Sequence, residues 1–177
     1  YHSYLLSGSA DTNLKVWDMR RKNCMGTYRG HSTAVNNVLF SPDGSLAASG
    51  DEDGTVKVWD LTAGKLLYES LEHKRAITAI AFHPTEFLLA TASMDKTIKF
   101  FDIDSFHLVS TITTGASAAK CIQFHPDGTF LIATVQDQMK LFTWEPVKCL
   151  EQVEVPWNNV SDFSIQRANN RIVACTI

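Results

Sequence analysis

Little in this chain of 177 residues is suited to holding a metal, a phosphate or a membrane. Its four cysteines, Cys24, Cys121, Cys149 and Cys175, have no metal-ligand spacing and are too sparse for a disulfide framework. They read as reduced, buried thiols of an intracellular protein. No signal peptide and no apolar run of membrane length occurs, so no membrane partner is expected. A formal net charge of -3 argues against a general nucleic-acid binder. No stretch keeps a 3.6-residue apolar period for three turns, which leaves little room for helices. No glycine-rich run leads into a Lys-Ser/Thr pair and a helix, so no nucleotide loop and no cofactor are expected. No paired acidic residues have a context for hydrolysis. His83 and His125 each precede a proline and read as turn caps at the surface, not as metal ligands. Gly8, Gly50 and Gly54 read as turn residues. The chain begins at Tyr1 beside the strand-like run Tyr4-Leu5-Leu6 and ends beside another, Ile172-Val173-Ala174-Cys175. Both ends are read as cuts through a larger domain.

What the chain does have is a period. Leu14-Lys15-Val16-Trp17-Asp18 recurs as Val56-Lys57-Val58-Trp59-Asp60, as Ile98-Lys99-Phe100-Phe101-Asp102, and in decayed form as Met139-Lys140-Leu141-Phe142. The lysines stand 42, 42 and 41 residues apart. Phe40, Phe82 and Phe124 keep the 42-residue interval, as do Pro42, Pro84 and Pro126, and Asp53, Asp95 and Asp137. Each unit reads as an alternating strand, a Pro-containing turn, a short apolar strand, a tight turn carrying the repeated Asp, the Val-Lys-Val-Trp-Asp type of strand, and a fourth strand. A sheet of four such strands is apolar on both faces. It must be covered by its neighbours, which is the solution of an all-β propeller. The units are expected at about 1–28, 29–70, 71–112, 113–153 and 154–177, the last incomplete.

The pair Gly30-His31 with Trp59-Asp60 beyond it, and its variant Glu72-His73 with Phe101-Asp102, resembles the signature of the WD40 repeat. That resemblance implies a β-propeller of seven blades, of which this chain would be an open C-terminal portion comprising parts of five. A finer resemblance rests on the stretch from Asp11 to Lys22, on Tyr28 to Ser32, on Val56 to Lys65, and on the irregular Asp137-Gln138-Met139-Lys140-Leu141-Phe142-Thr143-Trp144-Glu145-Pro146. Val155 to Asp162 continues it. These stretches are similar to the katanin p80 family, the regulatory, non-catalytic subunits of a microtubule-severing complex. The resemblance implies a targeting scaffold with microtubules or tubulin and centrosomal or spindle-pole proteins as partners. A katanin-type AAA ATPase subunit would be bound through a region outside this chain. The location implied is the cytoplasmic cytoskeleton, at centrosome, spindle pole or cilium base. Pro156 with Asn158 to Ser161, and the bland Gly115 to Ala119, depart from the family pattern. A general WD40 adaptor that recognises a peptide of another complex is the alternative.

His31, Ser49, Asp53 and Trp59 invite a catalytic reading, because a Ser, a His and an Asp in hydrogen-bond reach are the parts of an acyl-transfer triad. The resemblance implies instead a buried structural chain from Asp to His to Ser to the Trp nitrogen, with every polar group satisfied. His73, Thr91 and Asp95 form an abridged version, since Phe101 cannot donate a hydrogen bond. Ser7, Asp11 and Trp17 form another. The fourth unit has Gly115 and Ala133 at matching positions and is expected to rest on apolar packing. Candidate partner contacts are Arg75, Met94 and Lys120, with Asn36 and Glu52, on one rim; ordinary surface is the competing reading. Arg20, Arg21 and Lys22 lie on the opposite face. They are either a microtubule contact or a solvated loop. Trp144 and Trp157 stand outside the regular Trp position and either pack between blades or anchor a partner.

Overall fold

The computed structural model describes residues 3–155, 160–166 and 171–176. The expected all-β class is what these residues show: seventeen strands in short antiparallel sheets, with no helix among the described residues. The strands β1 Tyr4–Gly8, β2 Leu14–Asp18 and β3 Asn23–Tyr28 make a three-stranded sheet in the order β1-β2-β3. Next come β4 Val35–Phe40, β5 Leu46–Asp51, β6 Val56–Asp60 and β7 Lys65–Ser70, in consecutive order. A third sheet contains β8 Ile77–Phe82, β9 Leu88–Ser93, β10 Thr97–Asp102 and β11 His107–Thr113. The fourth contains β12 Cys121–Phe124, β13 Leu131–Val135, β14 Gln138–Trp144 and β15 Val147–Glu154. Finally β16 Val160–Gln166 pairs with β17 Arg171–Thr176. The chain forms two compact units, Tyr1–Ile77 and Thr78–Ile177.

The period is visible in the backbone. A register shift breaks the pairing of the last two strands of each of the first four sheets, at Val16/Trp17, Val58/Trp59, Phe100/Phe101 and Leu141/Phe142. Such a bulge adds local twist, which a sheet that must lie against similar sheets needs. The Asp that ends each repeated strand caps the loop behind it. Asp18 Oδ1 accepts the amides of Arg20 and Arg21, Asp60 Oδ1 those of Thr62 and Ala63, and Asp102 Oδ1 those of Asp104 and Ser105. These are Asx-type turns, for which Asp is the fitting side chain. In the fourth sheet, one residue shorter, the matching position is Thr143, whose Oγ1 donates to the Pro146 carbonyl across that turn.

Gly8 and Gly50 correct the expectation that they are turn residues. Both end up in strands, β1 and β5, and serve close approach. A Cβ on Gly8 would stand 2.7 Å from Val35 Cγ1, and one on Gly50 2.6 Å from Ile77 Cγ2. Gly54 is a turn glycine, at φ +90°, and its missing Cβ leaves room for the Arg75 carbonyl at 2.6 Å. In the first unit Leu14, Ala47 and Trp59 form a buried cluster, covered by Leu6, Tyr28, Val38 and Leu61. In the second unit a larger cluster runs from Leu88, Ala90 and Phe100 through Ala119, Ile122 and Phe124 to Leu131, Ala133 and Phe142. The fourth repeat thus has apolar packing around Ala133, at the position where the second has Ser49.

The cysteine expectation needs a correction. None of the four is in a disulfide, but Cys24, Cys149 and Cys175 are exposed and only Cys121 is buried. Cys24 lies on β3 and Cys149 on β15, at the outer edges of their sheets, where side chains meet solvent.

Candidate functional site

The first unit holds a continuous buried relay. Trp59 Nε1 donates to Ser49 Oγ at 2.8 Å. Ser49 Oγ lies 2.6 Å from His31 Nε2, and His31 Nδ1 lies 2.8 Å from Asp51 Oδ2. A carboxylate can only accept here, so His31 carries its proton on Nδ1 and accepts the Ser49 hydroxyl at Nε2. Asp51 Oδ1 in turn accepts the amides of Asp53 and Thr55. The acid of the relay is therefore Asp51, and the expectation that it is Asp53 is corrected: Asp53 is exposed in the turn, where its amide donates to Asp51. The reason is the pleat. Ser49 and Asp51 are two residues apart on one strand and share a face, whereas Asp53 lies past the strand end.

Ser, His and Asp at these distances have the parts of a hydrolytic triad without its accessibility. Ser49 and Asp51 are both 0% exposed. Ser49 Oγ already accepts the Trp59 proton, and no face of it is open to an acyl group. Burial pushes the His31 pKa down, against the opposing hydrogen bond from Asp51. The imidazole is thereby held neutral at neutral pH. The arrangement ties the segment before β4 to strands β5 and β6 with no buried polar atom of the relay left over.

The related sites differ in their residues. In the first sheet Trp17 Nε1 donates to Ser7 Oγ at 2.9 Å. Asp11 is not buried with them. It is exposed and accepts the Asn13 amide at 3.0 Å in its own turn, a second correction with the same cause as Asp53. His73 is buried in the first unit, and Thr91 is fully buried in the second. Asp95 is half-buried and accepts both the amide and the hydroxyl of Thr97.

His83 and His125 are turn caps but not surface ones. His83 Nδ1 accepts the amides of Thr85 and Glu86, and its Nε2 donates to the Gly128 carbonyl at 2.9 Å. The ring packs edge-on to Phe124 and Trp144. His125 Nδ1 takes the Asp127 amide, and its ring stacks on Phe130. Both are buried because a Pro-bearing turn folds back on them. Trp144 is packed as well: its ring stacks on Phe100 at 5.8 Å and meets Phe124 edge-on at 5.2 Å. Trp157 and the departures at Pro156, Asn158 and Asn159 lie outside the described residues.

Of the candidate contacts, Asn36, Glu52 and Arg75 are exposed in the first unit, and Met94 and Lys120 are exposed in the second. Arg20, Arg21 and Lys22 are all exposed, in the loop between β2 and β3. Asp18 shapes that loop through two amides and a 3.8 Å contact with Arg21 Nε. The Arg21 amide is the main cause of an Asp18 pKa below the usual carboxylate range. Lys22 has φ +53°, the left-handed residue that closes the turn. The repeated lysines are not equivalent contacts: Lys57 is 3% exposed and paired with Glu69 at 2.5 Å, whereas Lys140 donates to the Thr114 carbonyl.

Sequence reasoning missed Asp51, and also a groove in the second unit lined by Glu86, Phe87, Asp102, Asp104, Trp144 and Glu145 among others. The signal for Asp51 was its same-face spacing from Ser49. The groove had no single-segment signal, because three separate loops build it.

The WD domain, G-beta repeat family matches residues 1–18, 22–60 and 64–102, together more than half of the chain. A katanin p80 WD40 repeat-containing subunit B1 homolog of Arabidopsis thaliana is 46% identical over 50 residues, covering 28% of this chain and 6% of that protein. A guanine nucleotide-binding protein subunit beta of Zea mays is 48% identical over 40 residues, covering 22% of this chain and 10% of the relative. A Lissencephaly-1 homolog of Dictyostelium discoideum is 39% identical over 46 residues, 26% of this chain and 11% of its own length. The matched stretches thus span a small fraction of each relative. WD40-repeat proteins are in general non-catalytic scaffolds, in keeping with a relay that is sealed and fully partnered. The chain belongs to the WD40-repeat family, as a scaffold for protein interactions.

Proposed function

We propose that this chain is a regulatory and targeting part of a katanin-type microtubule-severing complex, and that its loop Arg20-Arg21-Lys22 touches the acidic microtubule surface. The observation that carries the reading is the loop itself. Three adjacent exposed cations sit on a turn held in shape by Asp18, so they are presented together rather than on a free coil. The similarity to a katanin p80 homolog supports the same reading. The ATPase subunit would be bound elsewhere in the whole protein, and the proposed setting is the cytoplasmic cytoskeleton at centrosome, spindle pole or cilium base. Attraction of this kind weakens with salt.

Co-sedimentation with microtubules at low and raised salt tests it, using the intact protein that carries this chain beside a variant with Arg20→Gln, Arg21→Gln and Lys22→Gln. The expected result is salt-sensitive binding that the variant loses at an unchanged melting temperature. Binding that the variant keeps in full overturns the assignment of the loop.

A second reading, a general adaptor for a peptide of another complex, is supported by comparable identity to the G-protein beta subunit and the Lissencephaly-1 homolog. It predicts that Arg75→Ala or Lys120→Ala disrupts partner capture while Arg20, Arg21 and Lys22 are dispensable.

A further inference from the structure

The second unit carries a groove of about 320 Å³ whose lining is acidic and aromatic. Three loops build it. The turn after β8 supplies Glu86 and Phe87, the loop after β10 supplies Asp102 and Asp104, and the turn after β14 supplies Trp144 and Glu145. No lysine or arginine lines it, and against its four carboxylates stands one basic side chain, His107. Among the described residues Glu86, Asp104 and Glu145 form no ion pair. Asp102 also stays ionised, because the Ser105 amide, and then the Asp104 amide, hold its pKa below the usual carboxylate range. Phe87 is 69% exposed at this site, although a phenyl ring gains nothing by facing water.

The groove is also pre-shaped. The Glu86 amide is bound by buried His83, and the Phe87 carbonyl accepts the amide of buried Ile103 at 2.9 Å. The Asp104 amide is bound by Asp102, and Trp144 is clamped by Phe100, Phe124 and His83. A surface that is already ordered loses little freedom when it binds. Four carboxylates around two aromatic rings match a planar guanidinium, which pairs with carboxylates and stacks on rings at once. An acidic polymer such as the microtubule surface would be repelled from here.

We propose that this groove docks an arginine-bearing extended segment of a partner protein. The assignment is independent of the Arg20-Arg21-Lys22 loop and stands or falls separately from it.

The test is fluorescence anisotropy of a short labelled peptide of alternating arginine and glycine, titrated with the intact protein at low and raised salt. The wild type is compared with E86Q/D104N/E145Q, with F87S, and with the charge-matched control D137N/E151Q/E154Q, whose sites are exposed elsewhere in the same unit. Circular dichroism and melting verify the fold of each. The expected result is salt-sensitive binding, weakened about ten-fold or more by the groove triple variant, weakened by F87S, and unchanged in the control. Equal weakening by groove and control variants would mean bulk charge and overturns the proposal, as does full affinity in the groove variant. A lysine peptide of equal length that binds as tightly overturns the aromatic part. Self-association of the wild type without peptide, lost in the groove variant, would assign the occupant to a second copy's Arg20-Arg21-Lys22 loop and overturns the partner assignment.

Discussion

Asp51 holds His31 by its Nδ1 at 2.8 Å while using its other oxygen for two turn amides, so one buried carboxylate joins three segments of the second sheet. Removing it strands the imidazole proton and both amides in a site closed to water. Asp51→Ala is therefore expected to lower stability by about 1–3 kcal/mol. Asp53→Ala, in the exposed turn, is expected to stay within about 0.5 kcal/mol of the parent. Denaturant midpoints of the two variants check this. Equal losses at both positions would refute the relay as drawn.

The relay also sets a pH dependence. The His31 pKa lies below the ordinary histidine value, with burial the main cause. As pH falls, the unfolded chain takes up this proton first. The contribution is fully present above about pH 7.5 and declines as pH drops through about 6.5 toward the lower folded value. The carboxylates of Asp18, Asp43 and Asp102 are also depressed, from a lower starting value of 3.8, so their loss comes at more acidic pH. Stability of the parent should fall as pH drops below about 7.5, and His31→Gln should flatten part of that slope. An NMR titration placing the His31 midpoint at or above the ordinary value would contradict it.

Gly50 has no room for a methyl group against Ile77. Gly50→Ala should cost about 1–3 kcal/mol by overpacking. Ile77→Ala should cost a cavity of its own, but the double variant should lose less than the two single losses combined. The cycle is read from urea unfolding. Strict additivity would mean that the contact does not limit packing.

The thiols should divide by access. Cys24, Cys149 and Cys175 are exposed, and Cys121 is buried with its thiol pKa raised chiefly by that burial. A thiol reagent at neutral pH should modify three cysteines in the native protein and the fourth only on unfolding. Four equally fast reactions would be inconsistent with the packing around Cys121.

The strands were legible because Val-Lys-Val-Trp-Asp and its relatives recur with turn residues between them. Period also misled. Asp11 and Asp53 recur, yet both are exposed, and the acid of the second sheet's relay sits at a position where the other repeats carry Ser9, Ser93 and Val135. In the second sheet recurrence marked the turn and not the buried partner two residues before it. His83 and His125 were placed at the surface because a histidine before proline looks like a cap. Their burial depends on Phe124, Trp144 and Phe130, which come from other strands. The acidic groove could not be read at all, since its residues come from three loops that approach only after folding.

Gly8 faces Val35, and Gly50 faces Ile77, a small residue against a large one. One repeat further on, the corresponding residues are Ala92 and Ala119, which share a buried cluster. The third pair therefore differs in size from the first two, which both set a glycine against a β-branched residue. A slip of one repeat in one direction would bring Ala92 against a β-branched neighbour where glycine is required, and a slip in the other would set Gly50 against an alanine and leave a void. The repeats look alike, but their seams are not all interchangeable, and that difference disfavours the assembly of nearly identical sheets in the wrong order.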